Sequence, residues 1–132
     1  MKGLNQAHLG GLASAAALKQ GSIPAEAVDS VHFGAVLYSD PSAAYTARHV
    51  GHRAGLPVSV PALTVNRLCG SGLQTIINAS QEIRLGDAHV VLTGGTENMS
   101  MSPYLLSGAS RFGNKVRDFT HVTHASGRWT SR

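Results

Sequence analysis

Only one cysteine occurs in the 132 residues, so no internal disulfide can staple this chain. A lone thiol leaves the compartment open, although a reactive free thiol fits a reducing one. No apolar run approaches the roughly 18–20 residues that a helix needs to span a bilayer, which argues against a membrane span. The N-terminus lacks the basic region, apolar run and cleavage site of a secretory leader. Charge is also sparse, at 14% of residues. The net +4 is not spread evenly: residues 1–110 hold six Lys/Arg and six Asp/Glu, and residues 111–132 hold five Lys/Arg and one Asp. That excess has no basic helix face and little aromatic interleaving, so a nucleic-acid partner is not expected. What is present is ordinary for one globular domain, with 42% hydrophobic residues and 15 glycines that point to small-residue packing.

The stretch VPALTVNRLCGSG, residues 60–72, organises the rest. Residues 60–66 form a short apolar, β-branched run that predicts a buried strand. Gly70, Ser71 and Gly72 follow, and then a helical pattern begins. Cys69 therefore falls on a tight strand-to-helix turn beside a helix N-terminus, where unpaired N–H groups and the helix dipole favour a negative charge. Such positions are among those that lower a thiol pKa. Two readings stand: a reactive thiol with a small-residue collar that admits a ligand, or a buried and inert core cysteine.

Residues 7–20 predict an Ala-rich helix ending at Gly21, with Leu9, Leu12, Ala13 and Ala16 on one face. Pro24 can start a short turn, and residues 31–37 read as a strand. Ser42 is a candidate N-cap for a helix over 43–54, closed by Gly55 and Pro57. The clearest helix runs over 71–85, with Leu73, Ile76, Ile77, Ser80 and Ile83 on one face and Gln74, Asn78, Gln81 and Glu82 on the other. Residues 88–94 read as another strand, followed by a Gly- and Ser-rich loop. Alternating strands and helices predict an α/β fold with a mostly parallel sheet. The strands at 60–66 and 88–94 carry few polar residues, as expected of central strands covered on both faces.

The motifs NRLCGSGLQ at 66–74, GGTENMS at 94–100 and SPYLL at 102–106 resemble the N-terminal half of a thiolase, of the degradative 3-ketoacyl-CoA thiolase (acetyl-CoA acyltransferase) type. VDSVHFGAVL at 28–37 and AAYTARHVGHRAGLP at 43–57 match in order and spacing, so the resemblance covers about residues 7–113. It implies part of a five-layer αβαβα sandwich built from two similar halves. It also implies fatty-acid β-oxidation chemistry, in which a cysteine thiolate attacks the ketone of a 3-ketoacyl-CoA and acetyl-CoA leaves. A fresh CoA then resolves the acyl-cysteine. Cys69 matches the nucleophile, and its backbone N–H would serve an oxyanion hole. Coenzyme A is a substrate in this scheme and no cofactor is expected.

The family's activating histidine in a GHP motif, its second cysteine in a CxGGG motif and its further His and Asn have no counterpart here. The family's opening strand is also missing. The expectation is an incomplete N-terminal domain over 1–113 and a divergent, disordered basic tail over 114–132. Two other readings follow: a non-catalytic, truncated domain that acts through subunit association, or a redox-sensitive thiol domain. The resemblance further implies acyl-CoA and CoA as ligands and a homo-oligomer or pairing with a full-length subunit. The mitochondrial matrix is the expected location, with peroxisome or bacterial cytoplasm as alternatives.

Other residues invite roles. His49 and His52 lie three apart on a helix, but with no carboxylate or cysteine nearby they read as a polar face rather than a metal pair. His32 and His89 read as strand residues, and His121 and His124 fall in the tail. Asn66 and Arg67 flank the thiol, open to an ion pair, a subunit contact or a substrate contact. Glu97 reads as a loop anchor rather than a base, and Met99 and Met101 as gap-fillers rather than an acyl pocket.

Overall fold

The computed structural model describes residues 3–105 and 123–124. Its elements are α1 (Gln6–Gln20), β1 (Ser30–Gly34), α2 (Thr46–Arg53), β2 (Ala62–Val65), α3 (Ser71–Leu85), β3 (Val91–Gly95), β4 (Tyr104–Leu105) and β5 (Thr123–His124). The main sheet is parallel, in the order β2-β1-β3. The chain therefore leaves β1 for one side, then crosses back over it through α3 to the other. β4 and β5 form a separate antiparallel pair. Apart from Thr123–His124, the expected 114–132 tail, with His121, lies outside the described residues.

Local chemistry explains the ends. Asn5 caps α1 by accepting the His8 amide at 3.0 Å. At the other end Ser22 N–H donates to Lys19 at 3.2 Å and Ile23 N–H to Leu18 at 3.0 Å. The left-handed residue of this Schellman closure is Ser22, at φ 51°, not Gly21. Gly55 and Gly86 take the same role after α2 and α3, at φ 86° and 82°. The expected helix over 43–54 is a 3-10 turn, Ala43–Tyr45, running into α2. Ser42 does not cap it with its side chain: its N–H and O–H both turn back to Asp40 Oδ1, so Asp40 organises that turn.

The two faces of β1 meet different neighbours. Val31 and Phe33 enter the core with Leu18, Val28, Ala47, Val50, Leu56 and Val60. Each large apolar side chain buried in this cluster contributes about 1.5–3 kcal/mol. Helices α1 and α2 close over it through small residues: a Cβ on Gly10 would lie 2.7 Å from Val50 Cγ2. The face of α1 that turns inward is Gln6, Ala7, Gly10, Gly11, Ser14 and Leu18. Leu12, Ala13 and Ala16, read on one face with Leu9, are exposed and Leu9 is half-buried: α1 meets α2 through Gly10 and Gly11 instead.

On its other face, β1 presents Ser30, His32 and Gly34 to α3. Here the helix turns Ser71, Thr75 and Ala79 inward. The apolar face read from the sequence points out: Leu73 is 65%, Ile76 56% and Ile83 46% exposed. The strand assignment also changes. β1 is the central, fully buried strand, whereas β2 and β3 border the sheet and are partly exposed. Their apolar runs carry no record of which strand each pairs with.

Candidate active site

The carboxyl ends of all three strands converge on one open depression. It is lined by Gly34, Ala35 and Val36 after β1, by Leu68, Cys69, Ser71 and Gly72 after β2, and by Gly95, Thr96 and Glu97 at the end of β3. In open α/β sheets this is where ligands bind, outside the strand ends where the connection reverses direction. Cys69 is exposed there, so the buried and inert reading is wrong for its position.

The turn that carries Cys69 is built from overlapping hydrogen bonds. Gly70 N–H donates to Arg67 at 3.1 Å, and Ser71 N–H to Leu68 at 3.0 Å. Gly70 is the N-cap of α3, which begins at Ser71. The thiol thus sits two residues before the helix, as the glycine-collared sequence predicts. Among the described residues, no acceptor reaches the backbone amides of Cys69 and Gly72. They are the donors that could meet a developing oxyanion. Close approach explains the glycines: a Cβ on Gly34 would fall 2.8 Å from Gly72 N, and Gly95 lies beside Gly72.

The flanking residues do structural work. Asn66 Oδ1 accepts the Leu68 amide at 3.1 Å, and its Nδ2 donates to Val36 at 3.2 Å. Arg67 Nη1 donates to Gln74 Oε1 at 2.8 Å. Arg67 is exposed, which is at odds with a buried ion pair, and it has no ion pair among the described residues. Glu97 is the anchor that was expected. Its Oε2 accepts the Val36 and Leu37 amides at 2.9 and 3.1 Å. Its Oε1 faces the Gln6 amide nitrogen at 2.9 Å, in the orientation that gives each group a partner. With both oxygens engaged, Glu97 is poorly placed to act as a base.

Gln6 was not singled out in the sequence, yet it is fully buried and joins α1 to the site loops. A polar residue opening a helix carries no sequence signal for this. His32 is a buried strand residue whose Nε2 meets Glu82 Oε2 at 2.8 Å and Ser30 Oγ at 3.1 Å. His32 is buried and Glu82 half-buried, and neither lines the depression that holds Cys69. His89 lies in the loop before β3, not in a strand, and is exposed. Its amide and that of Val90 donate to Asp29 Oδ2 at 2.7 and 3.0 Å, and these two bonds hold the Asp29 carboxyl below its usual pKa. His49 is half-buried and His52 exposed on α2, and no cluster of three or more His, Cys, Asp or Glu forms among the described residues. Met99 is exposed and Met101 half-buried in a 3-10 turn, away from the depression. No described helix is long and apolar enough to cross a membrane.

Residues 1–128 match the family model described as "Thiolase, N-terminal domain". The chain is 51% identical over 116 residues to the mitochondrial 3-ketoacyl-CoA thiolase of Homo sapiens, covering 88% of this chain and 29% of that protein. It is 42% identical over 118 residues to beta-ketothiolase BktB of Cupriavidus necator, covering 89% and 30%. The crystal structure of the human mitochondrial 3-ketoacyl-CoA thiolase in complex with CoA superposes with a TM-score of 0.82 at 51% identity, over 87% of this chain and 29% of that one. The Bacillus anthracis acetyl-CoA acetyltransferase superposes with a TM-score of 0.81 at 33% identity, over 95% and 31%. The chain spans under a third of the length of these relatives.

Proposed function

The chain belongs to the thiolase family, and from that premise we propose that its site carries the acyl-accepting half of a thiolase reaction. The observation that supports this is the exposed Cys69 thiol at the meeting of three strand ends, beside backbone amides that no acceptor among the described residues reaches. In the reaction the Cys69 thiolate adds to the ketone carbon of a 3-ketoacyl-CoA. The alkoxide re-forms a carbonyl as the carbon–carbon bond breaks. Acetyl-CoA departs as an enolate and takes up a proton, and the shortened acyl group stays on sulfur. The thiol of a second CoA then attacks the thioester, loses its proton and releases Cys69 as thiolate. CoA is thus a substrate, and no cofactor is called for.

Among the described residues the lining of the depression offers two titratable groups, Cys69 and the engaged Glu97. The proton transfers therefore call on residues other than these. The expected outcome for the 132-residue chain is no thiolysis of acetoacetyl-CoA. Incubation with acetyl-CoA should still leave an acetyl adduct by intact mass, absent in Cys69→Ser. Failure to form that adduct would overturn the acyl-accepting reading. The company of mitochondrial relatives supports the mitochondrial matrix as the place of action.

A second reading, association, is favoured by one observation: the apolar stripe of α3 faces outward. Contiguous exposed apolar surface marks an interaction site, and a homo-oligomer or pairing with a longer thiolase subunit would cover it. Size-exclusion chromatography of the chain should show association, and a clean monomer would remove this reading.

A further inference from the structure

Leu68 is held at φ 50°, in the left-handed region that a branched side chain rarely adopts. Its side chain is 70% exposed, so burial does not explain the conformation. The backbone is tied on both sides instead. Asn66 Oδ1 accepts its N–H at 3.1 Å. Its carbonyl accepts the Ser71 N–H at 3.0 Å and the Ser71 hydroxyl at 2.5 Å. Ser71 Oγ in turn accepts the Arg67 N–H at 2.8 Å, which locks the hydroxyl across the turn. Asn66 is itself fixed to the end of β1 through Val36. Strained residues persist only where their surroundings over-determine them, and they collect at functional sites. The strained residue immediately precedes Cys69.

We propose that Asn66 and Ser71 are positioning residues for Cys69: they hold Leu68 in its left-handed conformation and so set the sulfur at the mouth between the three strand ends. This deepens the acyl-accepting reading and rests on it for its purpose. Neither side chain needs to touch the substrate.

Cys69 is the only thiol in the chain, so alkylation by iodoacetamide at neutral pH, read by intact mass, reports on it alone. Rates are taken on the full chain and divided by the rate of the same variant unfolded in urea. Asn66→Ala and Ser71→Ala are expected to slow alkylation at least threefold. The decisive variant adds Leu68→Gly to Asn66→Ala. Glycine takes a positive φ without ties, so the rate should return to within twofold of the original. Wild-type rates in Asn66→Ala and Ser71→Ala with cooperative melts would overturn the proposal, as would a failure of glycine to restore the rate. Where an alanine variant does not melt cooperatively, the single variants decide. Leu68→Gly should keep the rate and Leu68→Val should slow it, and equal rates in the two would overturn the proposal. A missing acetyl adduct with this ranking intact would sink the acyl-accepting reading alone.

Discussion

The two faces of β1 are built on opposite plans. Toward α1 and α2 the strand sends Val31 and Phe33 into a sealed apolar cluster. Toward α3 it sends Ser30, His32 and Gly34, and the helix answers with Ser71, Thr75, Ala79 and Glu82. The first face gains its stability from area removed from water. The second gains geometry: a His–Glu tie near one end of α3 and a backbone-to-backbone approach at the other. A helix held at both ends is fixed along its strand, and with it the turn that carries Cys69. The same helix leaves its apolar side for another layer to cover.

The comparison can be broken most easily on the apolar face. Phe33→Ala should cost about 3–5 kcal/mol in urea unfolding, since the ring packs against Gly10 and Gly94 and cannot be replaced by collapse. Gly34→Ala tests the other face at its tightest point. Its Cβ would meet Gly72 N and the Ser71 carbonyl carbon at 2.8 Å, both backbone atoms. Overpacking of this kind costs about 1–3 kcal/mol, and here it should also displace the Cys69 turn and slow alkylation of the thiol. An unchanged alkylation rate would mean that α3 does not set the sulfur.

His32→Ala leaves Glu82 without its partner and should cost about 1–2 kcal/mol. His32→Gln, which can return a donor to Glu82, should recover part of it, and a cost as large as on the apolar face would erase the distinction. A smaller effect is expected at Asp29, which ties the residues before β1 and β3 together. Its folded pKa lies below the ordinary 3.8, so its contribution is present above that value and fades as pH falls through the folded one. Asp29→Asn should therefore lower stability slightly at neutral pH and leave it unchanged below the folded pKa, which flattens the acid limb, as thermal melts across pH would show. Smallest of all, Ile76→Ser with Ile83→Ser should change folding stability by no more than about 0.5 kcal/mol per site, because both side chains already face outward. The same pair should reduce association, and a large loss of stability would show that the outer face is part of the core.

Much of this was legible in the chain. The Cys69 turn could be read because its cause is local: a β-branched run, a glycine collar and the onset of a 3.6-residue period all lie within a dozen residues. The anchor role of Glu97 was legible from its loop, though not which backbone amides it accepts. Gln6, the Leu68 conformation and the His32–Glu82 tie were not, since each depends on atoms brought together from distant segments.

By itself, the sequence determined the three helices and the three strands of the main sheet, the parallel α/β class, the thiolase family motifs and the position of the thiol beside a helix start. Periodicity also showed that α3 has two unlike faces. Only the tertiary structure decided which face goes inside. An amphipathic pattern measures the difference between two sides of a helix, whereas burial depends on what the neighbouring strand presents. Here β1 offers a serine, a histidine and a glycine, and only a small, polar helix face can approach them closely. The sheet order is of the same kind. Apolar runs say that strands are covered, but pairing is a contact between residues far apart in the chain, and it put β1, not β2 or β3, at the centre.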